Sequence, residues 1–469
     1  MKSQTITIVG GGITGLSAAF FAQRAMPDAQ ITVLESSELW GGVLQTESTE
    51  GYLIEHSADM FTTDPESAIQ ICEHLGKTDE LLQTIPIDDR AYVATEDTIH
   101  PVPRGLSLML PSDLESILAT PLLSEAAKDR FQAEEQIAPN DWIQDESLLS
   151  FATRRFGREV YETLIQPLVG GIYTADPEKL SMQATMARFV AMEKQHGSLI
   201  QAGRVARGKA IQREASGARY GMFRAPEQGI SELIRWIMES LPKVDFQINS
   251  SVESVAKVDA GWQVTTVGSD SKAVQKLETE GLVLATSAKI SGRLLQSVDG
   301  ELAKDLAKIE AASSAVVILG IDREQLGQEF SGYGIIVPSM LDRDVIATSF
   351  GSNKFAGRAP DGKVLIRCFI GGALRRELVD LDDKKLVEMA IEELRLTVGF
   401  QGKPELTRVI RWRNCMPQYH LGHRDLVDGI EALTTNHQGL ELAGNSYRGV
   451  GIPACIESGA KAVERLIAE

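Results

Sequence analysis

Two glycine-rich segments hold the residues of this chain whose types and spacing suit chemistry. One, from Ile6 to Ala19, reads I-T-I-V-G-G-G-I-T-G-L-S-A-A. The other, from Leu442 to Gly459, reads L-A-G-N-S-Y-R-G-V-G-I-P-A-C-I-E-S-G. In the first, an apolar run, a glycine turn and a helical pattern follow one another, which suits a dinucleotide pyrophosphate. Gly10 allows the tight turn, Gly12 lets backbone approach phosphate, and Gly15 lets helix pack on strand. The helix N-terminus then turns unpaired N–H groups toward the anion. A second apolar run, Ile31 to Leu34, ends at Glu35, an acid placed to accept a ribose hydroxyl. In the second segment Gly444, Gly449, Gly451 and Pro453 are more than a plain strand-to-helix turn needs. Backbone N–H groups and a helix N-terminus there would stabilise negative charge on a reduced isoalloxazine ring. There is one dinucleotide fingerprint, with no second for a nicotinamide and no redox cysteine pair. That points to a flavin rather than a two-nucleotide reductase.

The elements that must position these residues are legible as periodicity. Residues 1–60 read as β-α-β and a loop with Gly41 and Gly42. Residues 64–75 read as a helix with Asp64 as cap, Pro65 in first position and Gly76 as stop. From about 105 to 200 the pattern is almost wholly helical. Apolar residues recur at 148, 152, 156, 160, 164 and 168, one helix face, with Arg154, Arg155 and Arg158 mostly off that stripe. Residues 201–224 carry five arginines and Lys209 against Glu214 alone. They read as a loop, either solvated or bound to an anionic surface. Strands are expected at 244–256, 262–267, 281–286, 314–321, 333–338, 344–350 and 363–370, and a helix at 383–398. A last strand begins at Leu440 and a helix closes the chain. The first βαβ unit and the last strand–helix belong to one discontinuous dinucleotide domain.

At 469 residues the chain has room for two or three domains. It is 43% hydrophobic and 24% charged, ordinary for a globular protein. The net charge of −18 argues against nucleic acid as a partner. It also requires that an anionic ligand be met by locally placed arginines. Cys72, Cys368, Cys415 and Cys455 form no C-x-x-C pair, so no metal site is expected and free thiols in a reducing cytoplasm fit. The N-terminus enters a strand directly, without a signal peptide. No apolar run reaches the roughly eighteen residues that span a bilayer. A cytoplasmic protein, soluble or peripheral on the inner face of the cell membrane, is expected.

With these motifs the chain resembles the flavin-dependent protoporphyrinogen/coproporphyrinogen oxidase family. The matching blocks are G-G-G-I-T-G (Gly10 to Gly15), E-S-S-E-L-W-G-G (Glu35 to Gly42) and D-E-S-L-L-S-F-A-T-R-R-F-G-R-E (Asp145 to Glu159). They continue with P-L-V-G-G-I-Y-T-A-D-P-E-K-L-S (Pro167 to Ser181), F-A-G-R-A-P (Phe355 to Pro360) and G-N-S-Y-R-G-V-G-I-P (Gly444 to Pro453). The first block is shared with many flavin amine oxidases; the middle ones are far more specific. The resemblance implies an α/β (α+β) fold of three parts. A discontinuous FAD-binding Rossmann-like domain of the hydroxybenzoate-hydroxylase type takes 1–60, 225–290 and 405–469. A mixed-sheet substrate-binding domain takes 61–104 and 291–404, and a helical membrane-associating domain takes 105–224. It implies noncovalent FAD, with Gly10, Gly11, Gly12, Ile13, Thr14 and Gly15 at the pyrophosphate and Glu35 and Ser36 at the adenosine ribose. Gly42, Val43, Ser57, Ala58, Asp59 and Met60 would line the flavin, Val252 would meet the adenine side by backbone, and Trp412 would lie near the cofactor. Gly444, Val450, Gly451 and Ile452 would meet the ring. The family usually has Gly-Pro where this chain has Ser57-Ala58.

On the substrate side the resemblance points to Arg90 for a propionate, with Arg154 and Arg367 as alternatives, because an arginine fork suits a carboxylate. Ile336 and Phe369 match positions that sandwich the macrocycle, and backbone near Ala175 would accept from pyrrole N–H groups. The activity implied is oxygen-using oxidation of protoporphyrinogen IX to protoporphyrin IX in heme biosynthesis, with coproporphyrinogen III to coproporphyrin III as the alternative. More distant readings are another flavin amine oxidase or a carotenoid desaturase. The flavin carries the chemistry, so no catalytic side chain is expected, and His420 and His423 read as structural. The partners implied are a porphyrinogen, molecular oxygen, a membrane surface and the next heme-pathway enzyme. Apolar runs at 105–111 and 117–123 fit either a membrane patch or a buried core helix.

Overall fold

The computed structural model describes residues 4–86, 90–140, 144–215, 222–268 and 272–468. Five parallel strands form the central sheet, in the order Asp245–Gln247, Gln30–Leu34, Thr5–Val9, Gly281–Leu284 and Leu440–Leu442. Parallel strands are covered on both faces, which is why Ile6, Ile8, Val33 and the run Leu282–Val283–Leu284 are all buried. The helices Ile13–Ala25 and Ile452–Ala468 pack against each other on one face, so the two ends of the chain share a core. Gly459 makes this possible: a Cβ there would lie 2.5 Å from Thr14 O and 3.0 Å from Ala18 N.

The second sheet has seven strands in mixed order: Leu406–Pro417, Ala311–Asp322, Lys363–Gly371, Val345–Phe350, Gly334–Ile336, Ala91–Ala94 and Ile99–Pro101. One face, with Val317, Leu319, Ile335, Ile366 and Cys368, packs on Leu386, Ala390, Leu394 and Val398 of the helix Asp383–Val398. On the other face, Ile336, Ala347, Phe369, Val316 and Ile410 stand opposite one another across five strands.

In the helical region the structure departs from the sequence pattern at several points. The helix expected from 64 spans Ser67–His74 with Glu66 at its cap, and the Asp64–Pro65 bond is cis. The expected single helix over 148–168 is broken at Gly157, whose φ is +93°. It resumes at Arg158 and passes through a π turn, Tyr161–Ile165, before Gln166–Tyr173. The wider turn accommodates Pro167, which has no N–H to give. Leu148, Ala152, Phe156, Val160 and Leu164 are buried as the stripe requires. The expected loop at 201–224 is helical from Leu199 to Ala215, residues 216–221 lie outside the described residues, and Arg224 is buried in a strand. The 105–123 stretch is a short hairpin and a helix, Leu114–Leu118, whose Met109, Ile117 and Leu123 are buried in the core. Leu106, Leu108, Leu110, Leu114 and Leu122 are half-buried against the same core. Among the described residues no helix is long and apolar enough to cross a membrane.

Arg155, expected off the apolar stripe, is fully buried. Its Nε donates to Glu134 Oε1 at 2.7 Å, its Nη1 to Ile137 O at 2.9 Å and Glu193 Oε1 at 3.3 Å, and its Nη2 to Gly197 O at 3.1 Å. Glu134 in turn accepts from Leu199 N at 2.9 Å and Ile200 N at 3.3 Å, capping the next helix. The arginine therefore fastens four segments of the helical region at one point. Arg155→Ala, which strands Glu134 in the interior, is expected to destabilise the protein by about 3–5 kcal/mol. Urea denaturation followed by circular dichroism would measure it, and an unchanged midpoint would contradict the assignment.

Candidate functional site

The first glycine segment forms a cradle at the carboxyl end of the parallel sheet. Gly10 has φ +112°, and a Cβ on it would lie 2.4 Å from Ala285 O. A Cβ on Gly15 would lie 1.9 Å from Gly10 O, and one on Gly11 would lie 2.5 Å from the Trp40 ring. Gly12 differs: a Cβ there would meet nothing within 4 Å. Gly12 also caps the helix that begins with Ile13 and Thr14, without any side chain accepting from its first N–H groups. Open space facing unsatisfied helix donors is the shape and polarity an anion requires.

Beside the cradle, both oxygens of Glu35 are oriented by backbone. Gly11 N donates to Oε2 and Ser37 N to Oε1, each at 2.8 Å, and Ser36 Oγ adds a bond at 3.3 Å. Oε2, with the one donor, keeps a lone pair for a ligand hydroxyl. Ser250 N donates to Glu35 O at 2.8 Å and Asn249 N to Ser37 O at 3.0 Å, which brings the strand Ser250–Val258 alongside. Val252 is buried on this strand, so backbone is what it offers a ligand.

At the far end lies the loop Ser57–Met60. Ser57 Oγ donates to the carbonyl of the exposed Val43, and Trp412 Nε1 donates to His56 O at 2.8 Å. Arg367 donates to Ser57 O, and with Lys354 it grips Asp59, at 2.5 Å and 3.0 Å. Burial works against the Asp59 carboxylate, yet Arg367 and Lys354 outweigh it and hold its pKa well below the usual range. Burial likewise pushes Lys354 down. This clamp fixes Ser57-Ala58 where the family has Gly-Pro. Lys354, which follows Ser352 and Asn353, gives no local signal of its burial, whereas Arg367 sits inside the apolar run Val364–Ile370.

The second glycine segment closes the site. Gly444, Gly449 and Gly451 have φ of +133°, +151° and +97°. Gly444 N donates to Ser458 Oγ at 2.9 Å, and the last helix begins at Ile452. Val450 packs against the same apolar cluster as Ile336, Ala347, Phe369, Ala175 and Tyr419. The structure thus brings the expected macrocycle residues and the expected ring loop together. Arg90 stands just ahead of the strand Ala91–Ala94, with Tyr333 N donating to its carbonyl at 2.9 Å. It neighbours the Gly334–Ser349–Arg367 row rather than the Ile336–Phe369 row. Arg154 is bound to Glu146 and Glu193, and Arg367 to Asp59 and Ser57. His423 is buried with Nε2 2.9 Å from Tyr447 O, a structural placement.

A nucleotide cradle at the carboxyl end of a parallel sheet, joined to a mixed sheet by a glycine loop, defines a flavoenzyme architecture. Comparison with known proteins agrees. Residues 13–467 match the family described as flavin containing amine oxidoreductase. The coproporphyrinogen III oxidase of Bacillus subtilis (strain 168) is 32% identical over 98% of this chain and 97% of its own. The chloroplastic protoporphyrinogen oxidase 1 of Spinacia oleracea is 28% identical over 96% of this chain and 82% of its own. A crystal structure from Exiguobacterium sp. 255-15, provisionally named protoporphyrinogen oxidase, superposes with a TM-score of 0.86 at 27% identity and covers both chains fully. The chain belongs to the flavin containing amine oxidoreductase family and, within it, to the flavin-dependent protoporphyrinogen and coproporphyrinogen oxidases. Its cofactor is FAD, and the open cradle over Gly12 fits that group.

Three outcomes are expected. Gly12→Val fills the open space and should leave purified protein colourless, with a melting temperature that no longer responds to added FAD. Cys455, on the last helix beside the cradle, is no thiolate, since burial pushes its pKa up to about 11. Acid precipitation of the yellow protein should therefore release the flavin into the supernatant. Glu55, buried beneath the Ser57–Met60 loop, has a pKa raised by burial from 4.5 to about 7. The folded state thus binds the extra proton, and stability should fall as pH rises from about 4.5 to about 7. Glu55→Gln should flatten that part of the stability profile; an unaltered profile would contradict the assignment.

Proposed function

We propose that this protein oxidises coproporphyrinogen III to coproporphyrin III. The observation that carries the reading is the flat apolar row of Ile336, Ala347 and Phe369, which meets Val450 of the ring loop and Ala175 of the helical region in one cluster. A broad, flat, greasy ligand belongs on such a surface, beside the end of the cradle where the flavin ring is expected. FAD, when bound, supplies the acceptor for hydride from the carbon that bridges two pyrroles. The chain's own task is to hold the macrocycle with that carbon facing the ring and to keep water away. Backbone carbonyl oxygen near Ala175 accepts from pyrrole N–H groups. Trp412, braced on His56, and the clamped Ser57–Met60 loop form a second fixed wall. Molecular oxygen is the final acceptor in this reading, and hydrogen peroxide the by-product.

Protoporphyrinogen IX, which the sequence motifs placed first, is the second reading. Coproporphyrinogen III is favoured because the 32% identical relative from Bacillus subtilis carries that name, against 28% for the spinach protoporphyrinogen oxidase. The test mixes oxidised protein with each porphyrinogen anaerobically and follows bleaching of the flavin. Faster reduction by coproporphyrinogen is expected, and faster reduction by protoporphyrinogen would reverse the assignment. Arg90, where the resemblance places a propionate, is the proposed propionate contact. Arg90→Ala should raise KM roughly tenfold, the equivalent of one charge-assisted hydrogen bond. FAD content should be unchanged and kcat less affected, because propionates sit away from the carbon that loses hydride. An unaltered KM for both substrates would assign the carboxylate to another cation.

A further inference from the structure

The loop Gly444–Gly451 has little stiffness of its own. Three of its glycines hold positive φ angles, which glycine adopts at the expense of the largest loss of backbone freedom. On its outer side Gly444, Tyr447, Arg448 and Gly449 border a cavity of about 300 Å³ between the helices His423–Thr434 and Ile452–Ala468, where Arg448 pairs with Glu431 and with Asp428 at 2.6 Å. The other anchors come from its inner side. Gly444 and Ser446 are tied there, through Ser458 Oγ at 2.9 Å and Ala288 N at 3.1 Å. Beyond Ser446 the Tyr447 ring is buried in a core cluster, and the remaining inner anchors come from the segment Y-H-L-G-H that begins at Tyr419.

The Tyr419 hydroxyl donates to Asn445 O at 2.6 Å and accepts from Gly449 N at 2.8 Å. One oxygen atom thus spans the loop across four residues. The Tyr419 ring lies on His423, with centroids 3.9 Å apart and planes 13° from parallel, and His423 reaches Tyr447 O at 2.9 Å. Burial pushes the Tyr419 hydroxyl up from its ordinary pKa, so it stays protonated and remains a donor. On its other side Tyr419 is part of the macrocycle wall. Its carbonyl accepts from Ser181 N at 2.8 Å, and its ring shares the apolar cluster with Ala175 and Ile336. The next residue, His420, forms a bridge with Leu180.

We propose that Tyr419 is a positioning residue that latches the ring loop Gly444–Gly451 to the macrocycle wall and so sets the distance between flavin and substrate. This rests on the reading of that loop as the flavin-ring contact. No proton or hydride passes through Tyr419; it acts through Asn445 and Gly449.

The test is Tyr419→Phe, which keeps the stacked ring and removes both hydrogen bonds. FAD would be titrated into apoprotein by flavin fluorescence, and the visible spectrum and reduction potential of the bound flavin recorded. Loss of two hydrogen bonds is expected to weaken FAD roughly tenfold or more and to shift both the flavin bands and the potential. Turnover should lose kcat more than KM, since substrate contacts stay in place. A lower melting temperature with FAD affinity within twofold of the parent and an unshifted spectrum would reduce Tyr419 to a structural role and overturn the proposal. Should Tyr419→Phe not fold, His423→Gln serves: the amide keeps the bond to Tyr447 O and loses the stacked ring. A several-fold weaker FAD affinity with a shifted spectrum is then expected, and parent-like values would again overturn the proposal. Gly451→Val separates this from the loop reading itself. If that variant binds FAD with an unchanged spectrum, the loop does not meet the ring, whatever Tyr419 does.

Discussion

The rest of this structure depends on how closely backbone approaches backbone at the carboxyl end of one parallel sheet. Gly10 presses on Ala285 O, Gly15 on Gly10 O, and Gly459 on Thr14 O. Each contact is too short for a side chain, and together they draw the first helix, the fourth strand of the sheet and the last helix to one point. The helix Ile13–Ala25 then starts without a capping side chain, and the space over Gly12 stays empty of protein. Unsatisfied donors around a void are costly unless an anion answers them. The glycines thus build the open cradle and the junction of the chain's two ends by the same means.

A second constraint is charge inside the protein. Lys354, Arg358 and Arg367 are buried with Asp59 and Glu55 near the loop Ser57–Met60. Arg358 spends its guanidinium on Pro226 O at 2.9 Å and Glu227 O at 2.7 Å. The three buried cations outnumber the two buried carboxylates, and burial raises the pKa of Glu55. Such a cluster is a weak source of stability, because desolvation offsets most of the attraction. Its stronger consequence is geometric: Ser57 O and Asp59 are held from the seven-stranded sheet, so the loop cannot move without that sheet. The surplus of positive charge also favours negative charge on whatever lies against the loop.

Periodicity and turn chemistry made the regular parts of the fold legible. The helix Asp383–Val398 shows its apolar stripe between an Asp382 cap and Gly399, and its limits are those the pattern predicts. The strands at 281–284, 345–350 and 363–371 stand where apolar runs placed them. The pattern failed where a residue acts through a distant partner. Arg155 looks like a solvated arginine because nothing local reveals Glu134 and Glu193. Gly157 interrupts a stripe whose burial it leaves intact, so an apolar count cannot see the break. At 105–123 hydrophobicity was visible but its destination was not, since a core and a membrane select the same side chains. In the site, glycine spacing exposed the cradle and the ring loop. The clamp on Asp59 and the latch at Tyr419 join residues about 300 and 30 positions apart, and only the fold brings them together.

The helical region is tied to the glycine loop at the end of the parallel sheet. Arg155 ties the corner between the helices Ala187–His196 and Leu199–Ala215, and through the helix Leu148–Phe156 it meets the 176–182 turn. Leu148 N donates to Leu180 O at 2.9 Å, and Ser181 N to Tyr419 O at 2.8 Å. A continuous path of hydrogen bonds therefore runs from the buried ion pairs to the glycine loop at the end of the parallel sheet. Each link is short and mostly buried, so a shift of the macrocycle wall is not absorbed locally. The wall that receives the substrate and the loop assigned to the flavin ring share one anchor. That arrangement fixes the approach of carbon to ring by the fold itself, in a reaction where no side chain need act as acid or base.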